Sequence, residues 1–230
     1  MQNCIGTLNF TDEVRVFFDG GVFCNGSVVI LDNTITYRFI NSTVVDNILK
    51  EIKNSPELNL VLQMKDNVQV FNKPLPNDEM KLWGAENSQI FSTEKSSYVD
   101  VIKIMIFEGG YSFGMKKLSD EVINIITKIC GKSACCSVAD NGKLIQIIDY
   151  GINKYYGVEQ IRKTLMYDRS VCVVFGDDYN DIEMIEGYDY SVVMGNAPEI
   201  LKSKAAYVTE DNDSVGIANA LDKILKSELF

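Results

Sequence analysis

An apolar run, Val171-Cys172-Val173-Val174-Phe175, breaks directly into Gly176-Asp177-Asp178-Tyr179-Asn180-Asp181-Ile182-Glu183-Met184. Such a run has the composition of a parallel strand buried on both faces. Open α/β sheets bind ligands just beyond the carboxyl ends of their strands, so Asp177 and Asp181 stand where a site belongs. Carboxylates crowded into one turn repel each other unless a cation neutralises them, and clustered oxygen ligands suit a hard ion such as Mg²⁺. The competing reading is a solvated acidic loop, because Asp and Asn also form turns and cap helices.

From Leu144 onward strands and helices alternate regularly: strand 144–148, helix 154–166, strand 171–175, strand 191–194, strand 206–208 and helix 215–225, with short helices between the later strands. That is the grammar of a doubly wound parallel sheet. Upstream the order is looser. Val14 to Phe18 and Val22 to Leu31 read as short strands joined at Asp19-Gly20-Gly21, with a second turn at Asn25-Gly26. Val44, Ile48, Leu49 and Ile52 recur at helical spacing behind Thr43 and Asp46, which resemble a capping box. Residues 60–64 and 68–71 read as a hairpin, 99–107 as a strand, and 119–130 as a helix stopped by Gly131. The stretch 73–97, with Trp83, reads as loop-rich. The expected organisation is a mixed α/β cap over residues 36–142, inserted into a parallel-sheet core made by residues 1–35 and 143–230.

Composition narrows the function classes. At 230 residues and 46% apolar content the chain can bury a sizeable core. A net charge of −10 argues against nucleic acid or an anionic membrane as a partner, so a phosphorylated ligand needs local positive help. No stretch approaches the roughly 18 uninterrupted apolar residues of a spanning helix, and no secretory signal is evident, so the expected compartment is the cytoplasm. Six cysteines without a C-x-x-C pair, and no histidine, argue against zinc and exclude every histidine-based general-base mechanism. Carboxylates, lysine and a metal are left to carry any chemistry.

Lys154 opens the helix before the acidic strand, with Asn153 as its cap. A cation at a helix N-terminus opposes the helix dipole, and a phosphate held there by backbone N–H groups and the ammonium would justify it. The alternative is a solvated lysine. One helix and one strand separate it from Asp177, which returns it to the same sheet edge as the carboxylates. Tyr155, Tyr156 and Trp83 are pocket candidates, though aromatics more often serve the core. Two other motifs are set aside. Gly131-Lys132-Ser133 ends like a phosphate-binding loop but has Ile126 where the first glycine is required, and Asp211-Asn212-Asp213 reads as a helix cap.

Taken in order, Asn25-Gly26-Ser27, Gly151-Ile152-Asn153-Lys154, Gly176 to Met184, Met194-Gly195-Asn196-Ala197 and Val215-Gly216-Ile217-Ala218 make the chain resemble the Cof-like phosphatases of the haloacid dehalogenase superfamily. The resemblance implies a Rossmannoid parallel-sheet core with an α/β cap and hydrolysis of small phosphate monoesters with Mg²⁺. It also implies roles: Asp177 and Asp181 hold the metal, Asn180 and Asn25 contact the substrate side, and Lys154 neutralises phosphate and nucleophile. These suit phosphoryl transfer, which is catalysed by positioning and charge stabilisation.

The sequence departs from the family at its start. Members begin with a strand ending in D-x-D-G-T, whose first aspartate is the nucleophile, and a second strand ending in a phosphate-binding Ser or Thr. The nearest approach is Phe17-Phe18-Asp19-Gly20-Gly21, with phenylalanine at the nucleophile position. In the preferred register residues 14–26 form the family's third strand, and two strand-helix units, roughly 60 residues, are lacking. The expectation is an N-terminally incomplete core, completed by a longer natural chain or by a partner. Two functions follow: a phosphatase inactive as this chain, or a non-catalytic binder of a phosphorylated metabolite.

Overall fold

The computed structural model describes residues 17–65, 68–74, 98–110 and 114–230, with the backbone of 89–90. The expectations for Val14, Trp83 and most of the loop-rich stretch fall outside these residues. The chain divides into two compact units, Met1–Ile152 and Asn153–Phe230.

In the first unit, β1 (Gly20–Phe23), β2 (Val28–Leu31) and β3 (Thr34–Tyr37) form a three-stranded antiparallel sheet. Residues 17–19 are turn and bend, so the expected strand does not extend through Phe17 and Phe18, which are 81% and 56% exposed. A single strand running to Gly26 is likewise replaced by the β1–β2 hairpin. Its turn takes Cys24 and Asn25 into the left-handed region, φ 52° and 56°, which asparagine tolerates well.

The remaining elements are α1 (Ser42–Asn54), β4 (Leu58–Met64), β5 (Gln69–Phe71), β6 (Gln89–Ile90), β7 (Val101–Gly109), β8 (Met115–Lys116), α2 (Asp120–Cys130), β9 (Ala134–Ala139) and β10 (Leu144–Asp149). The strands form one sheet in the order β6-β5-β4-β7-β10-β9, with β8 on β7. Period-two alternation builds its two faces. Leu60, Ile106 and Ile145 lie side by side across three strands, as do Leu62, Ile104 and Ile147. These six share a core with Val44, Ile48 and Ile52 of α1 and Ile126 of α2, while Val61, Phe71 and Phe107 pack on the opposite face. Asn41, rather than Thr43 and Asp46, caps α1, its side chain accepting from Thr43 N. Ser119 caps α2 and Gly131, φ 52°, ends it.

One expected strand changes allegiance. Residues 144–149 form a strand, but it pairs antiparallel with β7 and β9 in this sheet and does not open the parallel one. Strand β9 escaped the sequence pattern because it is an edge strand of small and polar residues, with Val138 42% exposed.

The second unit contains α3 (Lys154–Thr164), β11 (Val173–Gly176), α4 (Ile182–Gly187), β12 (Tyr190–Val193), α5 (Glu199–Lys202), β13 (Tyr207–Val208) and α6 (Gly216–Leu225). Its three strands pair in parallel, in the order β11-β12-β13, as the alternating pattern requires. The first of them is shorter than the apolar run. Arg169–Val171 is a 3₁₀ turn, Val171 is 69% exposed, and the Cys172 thiol donates to the Asp168 carbonyl. Asp211 does not cap α6, whose N-cap is Val215. Among the described residues no helix is long and apolar enough to cross a membrane.

A buried carboxylate knits this small unit together. Glu159 on α3 is 3% exposed and accepts from Arg162 Nε at 2.7 Å, Arg169 Nη2 at 2.9 Å and the Tyr188 hydroxyl at 2.8 Å. Arg169 also bonds the Tyr155 hydroxyl, and the Tyr155 and Tyr188 rings meet edge to face at 6.0 Å. Tyr155 is thereby a core residue of this unit.

Hydrogen bonds from Arg162 first, then Arg169, outweigh desolvation and hold the Glu159 carboxyl well below the usual carboxylate range. A carboxyl depressed on folding stabilises at pH above its unfolded value and loses that contribution as pH falls through the folded one. We expect stability to decline as acid is added below about pH 4.3, and Glu159→Gln to flatten that decline. The same substitution costs about 2 kcal/mol at neutral pH, readable in urea unfolding curves taken across the acid range.

Candidate functional site

Strand β11 ends at Gly176, and the chain turns at once into a 3₁₀ turn, Tyr179–Asp181, that leads into α4. Asp178 caps that turn, its carboxylate accepting from Tyr179 N at 2.8 Å. Asp181 turns back toward the strand end: its Oδ2 accepts from the backbone N–H groups of Asp177, 3.1 Å, and Asp178, 3.2 Å. Its other oxygen, Oδ1, accepts from Lys154 Nζ at 2.7 Å. Asp181 is 2% exposed, so these bonds replace the water its charge would otherwise need.

This pairing explains the cation at the start of α3. Asn153 caps the helix as expected, its Oδ1 accepting from Tyr156 N at 2.8 Å. The group that meets the Lys154 ammonium is the Asp181 carboxylate. The lysine side chain stays 32% exposed, and an ammonium has three N–H donors, so the contact leaves donors for an anion approaching from solvent.

Asp177 and Asp178 are exposed, and Asn180 is half-buried within the turn. The Asp177 carboxylate forms no hydrogen bond or ion pair among the described residues, which separates it from Asp181, whose oxygens are all committed. Tyr179 projects to solvent at 64% exposure. Lys154, Asp177, Asn180 and Asp181 are therefore gathered at the carboxyl end of β11. Asn25 belongs to the other unit, where its Nδ2 donates to Gln146 Oε1 at 2.8 Å.

Among the described residues no group of three or more His, Cys, Asp or Glu could enclose an ion. Mg²⁺ does not need such a cage. It keeps several waters and binds through one or two carboxylates together with substrate phosphate oxygens, so a single solvent-facing carboxylate beside a lysine fits it.

Gly176 is the residue that pattern reading undervalues. A Cβ there would stand 2.7 Å from Asp181 Cβ and 3.2 Å from its Cγ. The strand can approach the carboxylate this closely only because Gly176 lacks a side chain. The motif places the glycine, but its partner is four residues away through a turn whose shape periodicity does not reveal.

Comparisons with known proteins establish the family and the fold. The sequence model of the haloacid dehalogenase-like hydrolase family matches residues 2–221. The chain belongs to that family. It is 35% identical over 121 residues to the Escherichia coli (strain K12) 5-amino-6-(5-phospho-D-ribitylamino)uracil phosphatase YbjI, covering 51% of this chain and 44% of that protein. It is 29% identical over 121 residues to phosphoglycolate phosphatase 1 of Saccharolobus solfataricus, covering 53% and 51%. The matched segments thus span about half the length of these curated relatives. Among solved structures, that of the HAD subclass IIB sugar phosphatase BT4131 superposes with a TM-score of 0.76 at 19% identity, covering 96% of this chain and 82% of that one. The expected α/β fold of the haloacid dehalogenase class is thereby shown.

Gly176→Ala tests the close approach. The added methyl displaces the Asp181 carboxylate, lowering stability by about 1–3 kcal/mol. In nuclear magnetic resonance spectra the Asp177 and Asp178 amide signals, whose N–H groups bond Asp181, shift more than those of β12.

Proposed function

We propose that the protein acts on small phosphate monoesters as a Mg²⁺-dependent phosphatase. The observation that carries this reading is the Lys154–Asp181 bond beside an uncommitted Asp177 at the carboxyl end of a core parallel strand. Asp177 would hold the ion, and Mg²⁺ when bound supplies positive charge against the phosphoryl oxygens. Lys154 meets those oxygens from the other side with the N–H donors that Asp181 leaves available. Asp181, a positioning residue, stops the ammonium from swinging away and ties it to the backbone of Asp177 and Asp178. Asn180, in the same turn, orients the phosphate.

Hydrolysis through a phosphoryl-enzyme needs a nucleophilic carboxylate, and the three carboxylates of the turn do not supply it in this reading: one caps a turn, one is buried, one faces the ion. Strand β11 pairs with β12 alone among the described residues, which leaves its other edge available to a further strand. We place the nucleophile on a further strand against that edge, contributed by a longer form of the protein or by a partner chain. Until that strand is present the same residues bind phosphate and metal without turnover, which is the second reading.

The relatives suggest the substrate class. One acts on a phosphorylated ribityl compound and another is a phosphoglycolate phosphatase, as their names state. Small phosphorylated metabolites are therefore the first substrates to assay.

Calorimetry with MgCl₂ and orthophosphate, run beside a hydrolysis assay on a panel of sugar phosphates, separates the two readings. Both expect binding. Hydrolysis by a longer form or a complex that carries the further strand establishes the phosphatase, heat without hydrolysis in that form too establishes the binder, and no heat with either ligand rejects both. Asp177→Asn is expected to abolish metal binding with the circular dichroism spectrum unchanged. Lys154→Ala is expected to weaken orthophosphate binding about tenfold, the loss of one charge-assisted hydrogen bond.

A further inference from the structure

Three cysteines of the first unit cluster where α2 turns into β9, in a different sheet from the β1–β2 hairpin and with no part in the chemistry above. Cys130 is the last residue of α2 and is 1% exposed. The chain reverses at once through Gly131, φ 52°, with Ser133 N donating to the Cys130 carbonyl at 2.9 Å. Register then sorts the next two thiols. Cys136 lies opposite Ile147 and Cys135 opposite Ile148. Ile147 belongs to the core face that the helices cover, so Cys136 shares that face with Cys130 while Cys135, one residue away, lies on the other. Thr127 Oγ1, one turn earlier on α2, is 3.7 Å from Cys136 Sγ, and Cys136 packs against the buried core cluster that contains Cys130.

We propose that Cys130 and Cys136 form a redox-active dithiol that is converted to a disulfide by small-molecule disulfides, fastening the end of α2 to the edge strand β9.

Cys136 is the attacking sulfur. Hydrogen bonds from Cys130 and, less strongly, Thr127 draw its thiol down to about 7, against the opposing effect of burial, and a thiol that ionises near ambient pH is the best placed for exchange. Giving that hydrogen bond, followed by burial, pushes Cys130 up, so it stays protonated until it is needed. The Cys136 thiolate attacks one sulfur of a disulfide RSSR. The S–S bond breaks, one RS⁻ leaves, and a mixed disulfide forms on Cys136. Cys130 then loses its proton to solvent and attacks the Cys136 sulfur, expelling the second RS⁻. Two protein thiols are oxidised to one disulfide and RSSR is reduced to two thiols. Cys136 sits on an edge strand and is half-buried, which admits a small disulfide. Cys135, on the other face of the strand, serves as an internal control.

The test uses the whole chain with oxidised glutathione at neutral pH, followed by alkylation and non-reducing peptide mapping. The expected product is a peptide pair joined through Cys130 and Cys136, two hydrogens lighter than the reduced protein, restored by a phosphine reductant, with Cys135 still open to alkylation. Glutathione attached only to Cys135, or no linked pair, overturns the proposal. In Cys130→Ala the mixed disulfide is expected to accumulate on Cys136. The pH midpoint for alkylating Cys136 is expected near 7 in the unsubstituted protein and higher in the variant. An unchanged midpoint overturns the assignment of Cys130 as the donor. The mapping needs no substitution, so a variant that fails to fold leaves the central claim exposed to refutation.

Discussion

Everything at the end of β11 depends on one buried carboxylate. Asp181, 2% exposed, could not keep its charge there without donors. It receives them from both directions: two backbone N–H groups of the strand-to-turn segment and the Lys154 ammonium. The arrangement solves two electrostatic problems together. The carboxylate is neutralised in a place where water cannot reach it, and the lysine is held at a helix N-terminus where the dipole alone would oppose it. Asp177 is thereby left facing solvent at a fixed point, its backbone pinned and its side chain uncommitted.

The two units reach stability by different means. The first has a broad antiparallel sheet whose rows of Leu and Ile alternate between a helix-covered face and a smaller apolar face. The second spans residues 153–230 and has three short strands and a modest core. A unit of that size buries a smaller share of its surface than a larger domain. It adds a charged network in which Glu159 links α3 to Arg169, before β11, and to Tyr188, after α4. Removing one member leaves the others uncompensated, so the network acts as a clasp that fixes the arrangement of these elements more than as a large net source of stability.

Legibility in the sequence followed the physics of each element. The hairpin of β4 and β5 and the helices α1 and α2 were readable because apolar residues recur at two or near three and a half, and Ser119 and Gly131 punctuate α2. The parallel order of β11, β12 and β13 was readable from strand-helix alternation. Strand β9 was not, since an edge strand of small and polar residues buries too little to print a pattern. Strand β10 was visible as a strand and misassigned to a sheet, because the identity of a strand's neighbours is a long-range property: Leu144 pairs with Phe107 on one side and Ala139 on the other. The cap of α1 was misplaced by two residues, Asn41 doing what Thr43 and Asp46 were expected to do.

By itself the sequence determined the chemical inventory of the site: a glycine-led cluster of carboxylates behind an apolar strand, a lysine opening the preceding helix, and no histidine to share the work. Residue type and local spacing suffice for that, since they fix charge, hydrogen-bonding capacity and secondary structure. Only the tertiary structure decided how the inventory is spent. It set Asp181 rather than a phosphate against Lys154, committed both Asp181 oxygens, left Asp177 open, and gave Gly176 its reason. Those outcomes turn on contacts between groups many residues apart and on approaches of a few tenths of an ångström. A linear pattern carries neither, because its information about neighbours ends within a turn or two of the chain.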